Sequence, residues 1–124
     1  MELKIGLSAQ SKTVVNTTNT ALTLGSGDLE VFATPAMIAL MENAAMKAVA
    51  EAIPEGSTTV GTEMNATHIK ASALCAEIVA TAVVTTIEGR KITLNVGARD
   101  GESLIGEGVH TRFIVDREKF MSKL

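Results

Sequence analysis

The segment spanning residues 33–53 limits what this chain can fold into more than any other. It is the longest apolar-rich stretch in the sequence, and Glu42, Asn43, Lys47 and Glu51 interrupt it. Ala, Met, Leu and Ile dominate it, and most of these are strong helix formers. Its ends carry boundary signals. Thr34 is placed to act as N-cap, with its hydroxyl accepting from a free backbone N–H. Pro35 then falls at the first helical position, where a missing donor costs nothing. Pro54 and Gly56 terminate the run. About 18 residues at roughly 1.5 Å per residue give a helix of about 27 Å, enough to cross a small sheet.

Around that helix the period is two. Leu3, Ile5 and Leu7 alternate with polar or small residues, and Lys12 to Asn16 carries Thr13, Val14 and Val15, so two amino-terminal strands are expected. Gly25-Ser26-Gly27-Asp28 marks a loop. After Gly56, one strand is expected from Thr59 to His68, with Val60, Thr62, Met64, Ala66 and His68 on one face. A second runs from Ala76 to Thr86 and a third from Lys91 to Arg99; Val109, Thr111, Phe113 and Val115 give a last strand. Glu88-Gly89 and Asp100-Gly101 are hairpin signals, which makes the later strands antiparallel. Residues 116–123 read as a short helix opened by Asp116. A single helix cannot be covered by its own linkers, so the economical arrangement is an antiparallel β-sheet wrapped around one long central helix. This α+β layout resembles the hotdog fold, whose members usually pair their sheets into dimers. With 124 residues, no repeat and no linker-like stretch, residues 1–124 are read as one domain.

Several function classes drop out. A net charge of -3 and 2% aromatic residues argue against nucleic-acid binding through basic grooves and stacking. Cys75 is the only cysteine, which excludes an intrachain disulfide and fits a reducing, cytoplasmic setting. No basic region precedes an apolar run at the N-terminus, and no apolar stretch has membrane-spanning length, so neither a secretory signal nor a membrane partner is expected. His68 and His110 lie far apart without an acidic cluster of metal spacing, so no metal is expected. Gly25-Ser26-Gly27 lacks the third glycine of a dinucleotide loop.

Three residues stand out as chemistry. Glu42 shares its helix face with Ile38, Ala45, Met46 and Val49, whereas Asn43, Lys47 and Glu51 form a solvated stripe. A carboxylate on an apolar face is either a structural group held by donors or a candidate general base. His68, inward on its strand, is either a satisfied core histidine or a proton shuttle. Thr34 is an N-cap or, with a base nearby, a nucleophile or water-positioning hydroxyl. Thr34 and Glu42 are eight residues apart on one helix, about 12 Å. Direct use of both at one atom therefore requires a relay or two subunits. His110 shares a strand face with Arg112, Gly106 and Gly108 and reads as structural or a hydrogen-bond donor. Arg112, like Lys70, Arg90, Lys91 and Arg99, is a candidate phosphate partner or a solvated face. Cys75, though near His68 in sequence, reads as core or near-core packing.

Taken together, Val31 to Glu42, Val60-Gly61-Thr62 with Thr67-His68, Ile87-Glu88-Gly89-Arg90, and Ile105 to Arg112 resemble the fluoroacetyl-CoA thioesterase-like family of hotdog proteins. The resemblance spans nearly all of residues 31–120. It implies that Thr34, Glu42 and His68 match the family's catalytic Thr, Glu and His, and that Gly61 matches the glycine beside the thioester carbonyl. The implied activity is hydrolysis of a short or small acyl-CoA thioester in a homodimer or larger assembly, with the pantetheine arm running between subunits. Glu42 and His68 would activate water or Thr34, and backbone N–H groups, that of Gly61 among them, would stabilise the oxyanion. Coenzyme A belongs to the substrate, and neither a metal nor a redox cofactor is required. Fluoroacetyl-specific members resemble each other in carrying an aromatic lid just before the helix. Here Phe32 is the only aromatic residue in that region, which argues against fluoroacetyl specificity and leaves the acyl group open. A non-catalytic module binding acyl-CoA or another small ligand is the main alternative, and a hotdog hydratase the third.

Overall fold

The long apolar segment forms the central helix in the computed structural model, which describes residues 1–124. In chain order the elements are β1 (Ser8–Val14), the one-turn α1 (Ala21–Leu24), α2 (Thr34–Val49), β2 (Ser57–His68), β3 (Glu77–Glu88), β4 (Lys91–Asp100), β5 (Ser103–Asp116) and α3 (Arg117–Ser122). The strands form one antiparallel sheet in the order β1-β3-β4-β5-β2, with β2 at an edge. The expected α+β hotdog layout is present: the sheet curls around α2.

The core follows from the two periodicities. Helix α2 buries Met37, Met41, Ala44, Ala45, Ala48 and Val49. Facing it are Ile78, Ala80, Ala82 and Val84 of β3 and Ile92, Leu94, Val96 and Ala98 of β4. Alanines on both surfaces let helix and sheet approach closely, and the methionines fill the remaining irregular space. On β5, Gly106 leaves room for the helix: a Cβ there would lie 2.7 Å from Met37 Sδ. Gly89 and Gly101 take the left-handed conformation in the two hairpin turns, with φ of 63° and 60°. Asp116 caps α3 as expected, its carboxylate accepting from the Lys119 N–H at 3.0 Å. No helix is long and apolar enough to cross a membrane.

The structure corrects four local expectations. The two amino-terminal strands are one, β1, because Gly6 adopts a positive φ of 97° and turns the chain between Leu3 and Leu7. Helix α2 ends at Val49 rather than Ile53: the Ala52 N–H donates to the Val49 carbonyl at 2.9 Å, tightening the chain into a turn ahead of Pro54. Asn43 and Lys47 remain at the surface but are not merely solvated. Ser11 Oγ donates to Asn43 Oδ1 at 2.6 Å and Lys47 Nζ donates to the Gln10 carbonyl at 2.6 Å, tying α2 to β1.

The fourth correction bears on function. The alternation expected across β2 is broken by a register shift between Gly61 and Glu63, leaving Thr62 without a partner in the ladder. The extra residue changes which side chains face inward. Gly61 and buried Thr59 thereby join the face of Met64, Ala66 and His68, in place of Val60 and Thr62.

Candidate active site

The structure gathers the expected residues into two clusters, one at each end of β2. The first is Thr34 with His68. Thr34 is not the N-cap; Ala33 is, and no side chain caps this helix. Freed from the backbone, the Thr34 hydroxyl lies 2.8 Å from His68 Nδ1. They share the wall of a cavity of about 280 Å³, with Phe32, Ile69 and Lys70 among its other lining residues. His68 Nε2 is buried and has no hydrogen-bond partner within the chain. Burial pulls the His68 imidazole below its ordinary pKa of 6.5, partly offset by the Lys70 backbone. Neutral His68 can therefore accept a proton from Thr34 at neutral pH.

The second cluster is built around Glu42. Its side chain is 41% exposed, so it lies at the margin of the apolar face rather than within it. Glu42 Oε2 is 3.9 Å from both Arg112 Nη1 and His110 Nε2. Arg112 and His110 are 6% and 1% exposed. Gly61 faces this group directly: a Cβ there would lie 2.6 Å from Glu42 Oε2, 3.1 Å from His110 Cε1 and 3.2 Å from Arg112 Nη1. Only glycine leaves that volume open.

Glu42 and His68 thus do not meet within one chain, although each has a chemical partner of its own. His110, read from sequence as structural or hydrogen-bonding, and Arg112, read as a candidate phosphate partner or solvated face, belong to the Glu42 cluster. A usable signal was present. A His-x-Arg pair on the inward face of a strand brings a buried guanidinium, which demands acceptors and a counter-charge. Cys75 is exposed rather than packed, and adopts a positive φ of 73°.

Burial also lowers the pKa of His110, with Arg112 adding to it against the opposing effects of the Glu63 carbonyl and Glu42. Both histidines therefore bind protons more weakly in the folded chain than in the unfolded one, where 6.5 applies. Above that value neither state is protonated and stability is independent of these groups. As the pH falls through it, the unfolded state takes up protons first, so folding stability declines. Melting temperatures are expected to be flat above about pH 7 and to drop between about pH 6.5 and 5.5. An unchanged midpoint over that interval would contradict the burial of both rings.

Known proteins share this fold. The family model described as fluoroacetyl-CoA-specific thioesterase matches residues 15–118. A fluoroacetyl-CoA thioesterase from Streptantibioticus cattleyicolor is 38% identical over 95 residues, covering 77% of this chain and 68% of that protein. A single-residue variant of the fluoroacetyl-CoA-specific thioesterase FlK, solved with fluoroacetate and CoA, superposes with a TM-score of 0.88 at 32% identity. That match covers 95% of this chain and 99% of the other. A hot-dog-like protein from Thermanaerovibrio acidaminovorans shares the fold at 22% identity and a TM-score of 0.88, covering 98% and 90% of the two chains. With a family match over most of its length and a close curated relative, the chain belongs to the fluoroacetyl-CoA-specific thioesterase family.

Proposed function

We propose that this chain hydrolyses a small acyl-CoA thioester at a site shared between two subunits of a homodimer. The observation that carries the reading is the 2.8 Å contact of Thr34 Oγ1 with His68 Nδ1 on the wall of an open cavity. As the Thr34 oxygen, or a water it orients, attacks the thioester carbon, its proton passes to His68 Nδ1. Collapse of the tetrahedral intermediate breaks the carbon–sulfur bond, and His68 returns the proton to the departing CoA sulfur. Where Thr34 itself attacked, water then cleaves the acyl-threonine ester, giving the carboxylic acid.

With its lone pair on Nδ1, neutral His68 carries its proton on Nε2, the buried atom that lacks an acceptor. Glu42 of the same chain is eight helical residues from Thr34, about 12 Å, and is not that acceptor. Strand β2 is a sheet edge whose outer side is unpaired. A second copy adding antiparallel to it about a two-fold axis near Asn65 sets His68 opposite the bulge at Gly61 of the partner subunit. That juxtaposition supplies a carboxylate to His68 and room for the thioester carbonyl beside Gly61. The lid region argues against fluoroacetyl as the acyl group: Gly25 to Asp28 are exposed and carry no aromatic ring, while Phe32 is buried in the wall. An exposed free thiol at Cys75 fits a reducing cytoplasm.

Thiol release from a panel of short acyl-CoA esters tests the activity. Turnover of at least one ester supports it, and ligand binding without any thiol release makes the chain a binding module. Enoyl-CoA hydration without thiol release makes it a hydratase. Gly61→Ala is expected to reduce kcat about tenfold or more by pushing the Glu42 carboxylate aside, with little loss of stability because the displaced atom ends a flexible chain. Steady-state kinetics beside a thermal melt checks this, and wild-type turnover would remove Gly61 from the site.

A further inference from the structure

Arg112 is 6% exposed, and a guanidinium so buried must have its donors answered. Its Nε donates to Thr59 Oγ1 at 2.8 Å and its Nη2 to the Thr59 carbonyl at 2.9 Å. Its Nη1 lies 3.1 Å from His110 Nε2. The other ring nitrogen, His110 Nδ1, lies 2.7 Å from the Glu63 carbonyl. A carbonyl only accepts and a guanidinium only donates. Both neighbours therefore demand the same form of His110: neutral, with its proton on Nδ1 and its lone pair on Nε2.

That form settles the electrostatics around Glu42. Its Oε2 is equidistant from His110 Nε2 and Arg112 Nη1, at 3.9 Å. Because Nε2 presents a lone pair toward Arg112, it offers Glu42 no proton, and the attraction on the carboxylate comes from the guanidinium. We propose that His110 and Thr59 are positioning residues that hold Arg112 against Glu42, His110 serving as a fixed neutral acceptor and not as a proton carrier. The inference rests on the reading of Glu42 as part of a thioesterase site. The chain of constraint runs from the Glu63 carbonyl, at the β2 bulge, through the tautomer of His110 to Arg112 and then to the carboxylate.

Two substitutions separate the halves of this arrangement. His110→Gln keeps an acceptor oxygen for Arg112, whereas His110→Asn keeps a donor for Glu63 and withdraws from Arg112. In acyl-CoA hydrolysis, His110→Asn is expected to lose about ten- to hundredfold in kcat with KM little changed, and His110→Gln to recover most of that loss. A second readout needs no substrate. Nitrogen-resolved NMR of the wild-type ring is expected to show neutral Nδ1–H at pH 7, and exchange of the Arg112 Nε–H is expected to stay slow in His110→Gln but quicken in His110→Asn. A His110 ring protonated at pH 7 or carrying its proton on Nε2 overturns the proposal, as does equal Arg112 exchange in the two variants. If the wild type releases no thiol from any ester, the thioesterase reading fails, while the NMR outcome still decides the role of His110.

Discussion

Replacing His68 by alanine is expected to lower kcat/KM for thioester hydrolysis about 10²- to 10⁴-fold, the usual contribution of a positioned general base. The ring is half-buried on an edge strand, and its side-chain hydrogen bond within the chain is to Thr34. Its loss should therefore cost only about 1 kcal/mol of stability, the typical net worth of one hydrogen bond. Activity and folding are thus separable in this variant. The pH profile sharpens the expectation. Burial holds His68 below 6.5, so its base form predominates at neutral pH. Wild-type kcat/KM should be level around pH 7 and fall only on the acid side of 6.5, whereas His68→Ala should lack that limb. Thr34→Ser, which keeps the hydroxyl, should retain far more activity than Thr34→Ala. A His68→Ala protein with wild-type kcat/KM would remove the ring from the chemistry.

The architecture was legible because long-range order here follows from short-range signals. Proline at both ends of the apolar segment and Glu-Gly or Asp-Gly between alternating strands left few ways to arrange the chain. What the sequence concealed was a single extra residue. The bulge at Gly61–Glu63 exchanges the two faces of β2 partway along its length, and alternation counted through it places Val60 and Thr62 on the wrong side. Bulges have no strong residue signature, and the reason for this one, room beside Glu42, lies in tertiary packing. The N-cap reading of Thr34 failed for a similar reason. Local rules favour threonine before proline as an N-cap, but the helix begins one residue earlier, with Ala33 as N-cap. The Thr34 hydroxyl pairs instead with His68, 34 residues away in sequence. Glu42 and His68 were singled out from the pattern of apolar faces, and the structure gives each a polar neighbour, His68 in Thr34 and Glu42 in Arg112 and His110. The neighbours of Glu42 were not foreseen. The His110-x-Arg112 pair on β5 signalled a buried cation in need of a counter-charge, but that Glu42 answers it depends on how β5 registers against β2, which no local pattern reveals.

A mixture of two inactive variants is expected to regain activity. If each site takes Thr34 and His68 from one subunit and Glu42 with Gly61 from the other, a dimer of one His68→Ala chain and one Glu42→Ala chain carries both lesions in one site. Its second site has neither. Random exchange makes about half of the dimers mixed, each with one intact site of two, so about a quarter of wild-type activity should return. Chains that each build a complete site alone would give no recovery at any ratio. The two possibilities differ by the full loss caused by the single variants, so the experiment does not depend on small effects. Co-expression with two different tags isolates the mixed dimer, which should then show about half of the wild-type rate with unchanged KM. The same preparation tests the edge-strand contact. A charge-bearing substitution at Asn65, on β2 near the proposed two-fold axis, should weaken dimerisation and activity together, because two like charges then face each other across the axis. Activity that persists in a sedimenting monomer would place the whole reaction within one chain, where the 12 Å or so between Thr34 and Glu42 leaves His68 without its carboxylate.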